Sequence, residues 1–159
     1  MASTVNGSTT QNGTNIGAIV NGNKIEKGKK IGEGTYAVVY AGSMTVAESN
    51  ETISVAIKKI KAGAFKDGLD LSAIREIKAL KETQHQNVVK LYQVFTKKFN
   101  LNLVLEFLET DLETIIKQKS VSFGSADIKS WMLMAMRGLY HVHSLFVLHR
   151  VILAYNYRI

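Results

Sequence analysis

Three short stretches carry residue types able to act on a phosphate group. In Ile31-Gly32-Glu33-Gly34-Thr35-Tyr36-Ala37-Val38-Val39-Tyr40, two glycines lie two residues apart and Ala37 holds the place of a third. A dinucleotide-binding fingerprint needs a helix opening at its end, whereas Val38, Val39 and Tyr40 continue as strand. A Walker-type loop needs Gly-Lys-Ser/Thr at its end, which is missing here. What remains is a glycine-rich hairpin whose backbone can come close to a triphosphate, because its glycines have no Cβ. The second stretch, Val55-Ala56-Ile57-Lys58, puts a cation on a following strand within reach of α- and β-phosphates. The third holds Glu76, an acid on the next helix able to keep that lysine in place. Lys58 alone is an ordinary strand lysine and Glu76 alone a solvated helix acid. Hairpin, strand lysine and helix glutamate in that order form a specific combination.

The elements that must position these groups are legible from texture. Residues 1–23 are dominated by Asn, Gly, Ser and Thr and hold too few large apolar side chains to offset ordering entropy, so a flexible tail is expected. From Lys24 onward, β-like runs give two antiparallel strands around the glycine turn, then a third containing Lys58, with Glu48-Ser49-Asn50-Glu51 as a turn. Leu71, Ile74, Ile77 and Leu80 recur at helical spacing, with Asp70 or Ser72 placed to cap the start. Strand texture returns in Asn87–Phe95 and Leu101–Phe107, joined by a short polar hairpin connection. Between Ile128 and Val142, Trp131, Met132, Ala135, Met136, Leu139 and Val142 form a helix apolar enough to require burial on most sides. Its Met and Trp stripe reads as core rather than as a cofactor box.

Composition narrows the function classes. The 159 residues suffice for one domain with a real core, and a hydrophobic content of 46% with 21% charged residues is that of a soluble globular chain. There is no cysteine, so disulfides, thiolate metal sites and cysteine nucleophiles are excluded, and a cytosolic or nuclear setting is the default. The longest candidate hydrophobic signal, Ile16–Val20, is broken by Gly17 and too short to span a bilayer, so neither secretion nor a membrane role is expected. A net charge of +7 favours anionic ligands. No strand or helix segment presents a coherent basic face, so direct nucleic-acid binding is not expected. Proline is absent where ordinary usage predicts roughly eight residues, and this has no physical account.

With these motifs in place, the chain resembles a eukaryotic protein kinase and, more narrowly, a cyclin-dependent kinase. Ser72-Ala73-Ile74-Arg75-Glu76 is similar to the cyclin-contacting helix of that family. The segments Phe65–Glu82, Glu109–Lys117 and Ile128–His143 are similar to the cyclin-activated kinase subunits of the general transcription factor TFIIH, which phosphorylate the RNA polymerase II C-terminal repeats and other cyclin-dependent kinases. The resemblance covers about Lys24 to Arg150. It implies an α+β fold: a kinase amino-terminal lobe of five antiparallel strands and one helix, followed by the first helices of the second lobe. It implies ATP, magnesium in the full-length family, a protein substrate, a cyclin, the TFIIH subunits as partners and a nuclear location. Gly32, Glu33, Gly34, Thr35, Tyr36, Ala37 and Val38 would cover the phosphates, with Thr35 and Tyr36 at positions where relatives carry inhibitory phosphates. Ile31, Val39 and Ala56 would line the adenine pocket. Leu105 would be its gatekeeper, and Glu106, Phe107 and Leu108 the hinge. Ile74 would pack into the cyclin, and Arg75 would pair with a phosphorylated activation loop.

His149-Arg150 opens what in the family is His-Arg-Asp-Leu-x-x-x-Asn, whose Asp accepts the substrate hydroxyl proton. Val151 stands where that Asp belongs, and valine can neither accept a proton nor orient a hydroxyl. Asn156 falls at the metal-ligand offset, but the residues around it are unlike the family, and no Asp-Phe-Gly occurs in the sequence. The expected organisation is therefore a tail over 1–23, a partial kinase domain over 24–150 and a non-family segment over 151–159, with no complete catalytic or metal constellation. Such a junction would arise from an unspliced intron or an error in the gene's assignment, since every valine codon begins with GT; a genuine short isoform is the alternative. Loss of phosphoryl transfer with retained cyclin binding is the corresponding functional expectation. Hydrophobic surface left exposed along the Trp131 helix is the structural one.

Overall fold

The computed structural model describes residues 16–61, 71–97 and 100–148. Among the described residues, six strands and three helices follow in the order β1 (Ile16–Val20), β2 (Asn23–Glu33), β3 (Ala37–Thr45), β4 (Thr52–Ile60), α1 (Leu71–Glu82), β5 (Leu91–Lys97), β6 (Asn100–Glu106), α2 (Leu112–Lys117) and α3 (Ser125–Ser144). All strands join one antiparallel sheet in the order β1-β2-β3-β4-β6-β5. The chain divides into two compact units, one within residues 1–74 and 91–107, the other within 75–90 and 108–159.

In the first unit, Met44, Val55, Ile57 and Val104 lie on one face of the sheet. They pack with Ala18, Val20, Ile25 and Phe95 into a single apolar cluster. Strand periodicity accounts for this, because β4 buries Val55 and Ile57 while Ala56 and Lys58 alternate onto the other face. At 25 cal/mol per Å², each such aliphatic side chain contributes about 1.5–3 kcal/mol when fully buried.

The five expected strands are present as β2 to β6, and β1 is a sixth. The flexible-tail expectation fails for residues 16–23. Asn21 and Gly22 have φ of 50° and 81°, the positive pair that a two-residue hairpin turn requires, and Val20 faces Asn23 across it. The turn folds Ile16–Val20 back along β2 and buries Ala18 and Val20, which are 5% and 4% exposed. Burial of those two side chains repays the ordering that composition alone argued against. The strand also reaches the far edge of the sheet, where Gln93 Nε2 of β5 donates to the Val20 carbonyl at 3.2 Å. The remainder of the expected tail, residues 1–15, lies outside the described residues.

Helix α1 forms where the Leu71/Ile74/Ile77/Leu80 spacing predicts it. Of its two candidate caps, Asp70 lies outside the described residues and Ser72 is already inside the helix. In the second unit, Asp111 caps α2: its Oδ1 accepts from Thr114 N at 2.8 Å and its Oδ2 from Thr114 Oγ1 at 3.0 Å. These bonds, the backbone one first, hold the Asp111 carboxyl below its ordinary range. Asp127 closes the start of α3 by accepting from Gly124 N at 2.8 Å. Along α3 only Gly138 and Val142 are buried; Ile128, Met132, Leu133, Met136 and Tyr140 are exposed. Burial on most sides, which its apolar content called for, is therefore not realised, and the expected exposed hydrophobic surface is present.

Candidate nucleotide site

Antiparallel register assembles the site from strands distant in sequence. Val39 on β3 is the direct partner of Lys58 on β4, and Ala41 of Ala56. Lys58 in turn faces Leu103 on β6, and Ala56 faces Leu105. Because side chains alternate, Val39, Ala56, Lys58 and Leu105 share the face opposite the apolar cluster formed with Val55, Ile57 and Val104. Three expected adenine-pocket residues and the phosphate lysine are thus brought onto one surface. Gly32 faces Val39 across β2–β3. Between the pairs Lys30/Tyr40 and Gly32/Val39 the register slips, leaving Ile31 as the extra residue of a β-bulge, half exposed.

Gly34, Thr35 and Tyr36 form the turn between β2 and β3, with Gly34 N donating to Ala37 O at 2.9 Å. Thr35 and Tyr36 are exposed at its tip. A Cβ on Gly32 or Gly34 would meet its nearest neighbour only at 3.9 Å or 4.0 Å, so the fold itself does not demand glycine at either position. Glycine is required elsewhere: a Cβ on Gly42 would lie 2.4 Å from Glu26 O and 2.9 Å from Ile57 Cδ1.

Glu33 is gripped on both carboxylate oxygens, Oε2 by Lys30 Nζ and Oε1 by Lys61 Nζ, each at 2.8 Å. The hydrogen bond from Lys30, then that from Lys61, lowers its pKa from 4.5 to about 2, and Lys30 is raised in return. Sequence reading missed Lys61. Its one signal was position, three residues beyond Lys58 on the same strand run, and contact with the end of β2, 28 residues earlier, is not visible along the chain.

Glu106 ends β6, and Phe107 and Leu108 follow it as irregular backbone. Glu76 lies in the second turn of α1; Ile74 and Arg75 just before it are exposed, Ile74 to 42%. His149, Arg150, Val151 and Asn156 lie outside the described residues.

A glycine turn between the second and third strands, a lysine on the fourth and the helix after it are the amino-terminal lobe of the protein-kinase fold. The chain belongs to the protein kinase domain family, which it matches over residues 25–156. That match extends past Arg150 as far as Asn156. Among its relatives, the chain is 58% identical over 124 residues to the serine/threonine-protein kinase crk1 of Schizosaccharomyces pombe, covering 78% of this chain and 36% of that protein. To the serine/threonine-protein kinase KIN28 of Saccharomyces cerevisiae it is 59% identical, covering 78% and 39%. To cyclin-dependent kinase 7 of Xenopus laevis it is 45% identical, covering 79% and 35%. A solved structure of the CAK complex from Chaetomium thermophilum bound to ATP-gamma-S superposes with a TM-score of 0.70 at 47% identity, over 81% of this chain and 41% of that one. The chain thus spans well under half the length of these relatives.

Proposed function

We propose that this chain is the ATP-binding lobe of a cyclin-dependent serine/threonine kinase of the CAK type. In full-length form such a kinase acts with a cyclin and TFIIH subunits in the nucleus on the RNA polymerase II C-terminal repeats and other cyclin-dependent kinases. The observation that carries the reading is the single surface shared by Val39, Ala56, Lys58 and Leu105, with Gly32 opposite Val39. Apolar side chains there suit a purine, Glu106 to Leu108 offer backbone groups for its edge, and Lys58 is the cation for the phosphates. The likeness to a complex solved with ATP-gamma-S supports the same ligand.

In a kinase, catalysis is mostly positioning and charge stabilisation around the transferred phosphoryl group. Val151 removes the base that orients the substrate hydroxyl. Magnesium is the family's companion to the triphosphate, Asn156 stands at the offset of one of its ligands there, and no step is assigned to the ion. The reading is therefore nucleotide binding without useful phosphoryl transfer. Titration of the chain with a fluorescent ATP analogue tests it: saturable binding that Lys58→Met removes is expected, and equal binding by both proteins overturns it. An assay for labelled phosphate on a C-terminal-repeat peptide, with cyclin added, is expected to show no turnover.

A second reading, a cyclin-binding module that competes with an active kinase, is favoured by the exposure of Ile74 beside Arg75 on α1. Cyclin capture that weakens on Ile74→Asp supports it; no capture removes it.

A further inference from the structure

The glycine turn has little of its own to hold it in place. Gly32 and Gly34 carry no side chains, Tyr36 is 60% exposed, and Thr35 is exposed with it. Glycines also lose more conformational freedom on ordering than other residues. Apart from the Gly34 N–Ala37 O bond within it, what ties the turn down in this structure is polar and converges on one residue beyond the end of β4. Lys61 N donates to Tyr36 O at 2.9 Å, Lys61 Nζ donates to Gly34 O at 3.1 Å, and the same Nζ reaches Glu33 Oε1 at 2.8 Å. Lys30 holds the other oxygen of Glu33 from the β2 side. Residues 33 to 36 are thus fastened at three points to Lys61, the residue that follows the strand carrying Lys58.

We propose that Lys61 is a positioning residue for the nucleotide phosphates, holding the glycine turn through Glu33 and Gly34 at a set height over the Lys58 surface. This rests on the ATP-binding reading above. Each exposed tie is weak alone, but all three act on one short turn, and preorganised backbone donors bind an anion without the cost of reorganising. Lys61 need not touch the ligand, so its effect must be confined to the part of the ligand that the turn covers.

The experiment measures ATP and adenosine affinities for the full chain and its variants. Lys61→Met is expected to weaken ATP about three- to tenfold, the size of one or two lost polar ties. It should leave adenosine within about twofold, and Lys61→Arg should restore ATP binding. Removing a cation would also weaken an anionic ligand by simple attraction, and Glu33→Met separates the two causes. Loss of that acid raises the local positive charge, so attraction alone predicts tighter ATP, whereas an unfastened turn predicts weaker ATP. Lys59→Met removes the same charge from the strand without loosening the turn and is expected to change ATP affinity less than Lys61→Met. Hydrogen exchange over residues 31–38 without nucleotide is expected to quicken in Lys61→Met and Glu33→Met alike. If Lys58→Met binds ATP as the parent does, or the parent shows no saturable binding, the ATP reading fails and this role falls with it. If Lys58→Met loses ATP while Lys61→Met and Glu33→Met shift it in opposite directions, or exchange is unchanged, the positioning role alone is overturned.

Discussion

Gln93, near one edge of the sheet, donates its side-chain amide to the carbonyl of Val20 at the other edge, 3.2 Å away. The sheet therefore curls far enough for β1 to meet β5, and Ala18 and Val20 enter the same cluster as Phe95 and Val104. Gln93→Ala is expected to cost about 1 kcal/mol, the net worth of one hydrogen bond. Deletion of residues 1–22 should cost more, because it also removes two buried apolar side chains. Urea unfolding of the chain measures both, and a deletion variant as stable as the parent would show that β1 adds nothing to the core.

Glycine positions divide into those the fold needs and those the ligand needs. Gly42→Ala forces a Cβ against Glu26 O and Ile57 Cδ1 and is expected to destabilise by about 1–3 kcal/mol, the range for overpacking. Gly34→Ala has room and should leave the melting temperature nearly unchanged while weakening ATP. Thermal melts paired with nucleotide titration check the split; equal loss of stability in the two variants would refute it.

Acid should loosen the glycine turn. The Glu33 carboxyl is lowered from 4.5 to about 2 by its bonds from Lys30 and Lys61, so the folded state favours the deprotonated form. The stabilisation is fully present above about pH 4.5 and fades as pH falls toward 2. The stability difference between the parent and Glu33→Gln is expected to be constant at neutral pH and to shrink through that window. It should also shrink in high salt, since both lysines and the acid are solvent-exposed.

Ile74→Asp places a charge on a side chain already 42% exposed, so its effect on stability should stay within about 0.5 kcal/mol. If α1 is the cyclin-contacting helix, the same change should weaken capture of cyclin by the chain. Unchanged capture, measured by pull-down with a melt as the folding control, would assign the contact elsewhere.

The outer face of α3 should make the chain sticky. Ile128, Met132, Leu133 and Met136 are exposed along one helix, an apolar surface of the kind that promotes association. Met132→Lys with Met136→Lys is expected to lower hydrophobic-dye binding and the apparent mass at high concentration. A parent chain that is monomeric and binds no dye would contradict this.

What the sequence determined by itself was local. Gly32 and Gly34, the Val55–Lys58 strand and the helical recurrence around Glu76 are patterns whose chemistry lies in residue type and short spacing, and they sufficed for the kinase resemblance. Strand β1 was missed because its five residues sit in an Asn/Gly/Ser/Thr-rich stretch, although Asn21-Gly22 before Asn23 was a readable hairpin signal. The tertiary structure alone decided which residues meet. Val39 stands against Lys58, Ala56 against Leu105, and Lys61 reaches Glu33 because antiparallel register juxtaposes positions 19 to 49 residues apart. Such long-range placements depend on strand pairing and a shared apolar core, which no short window of sequence contains.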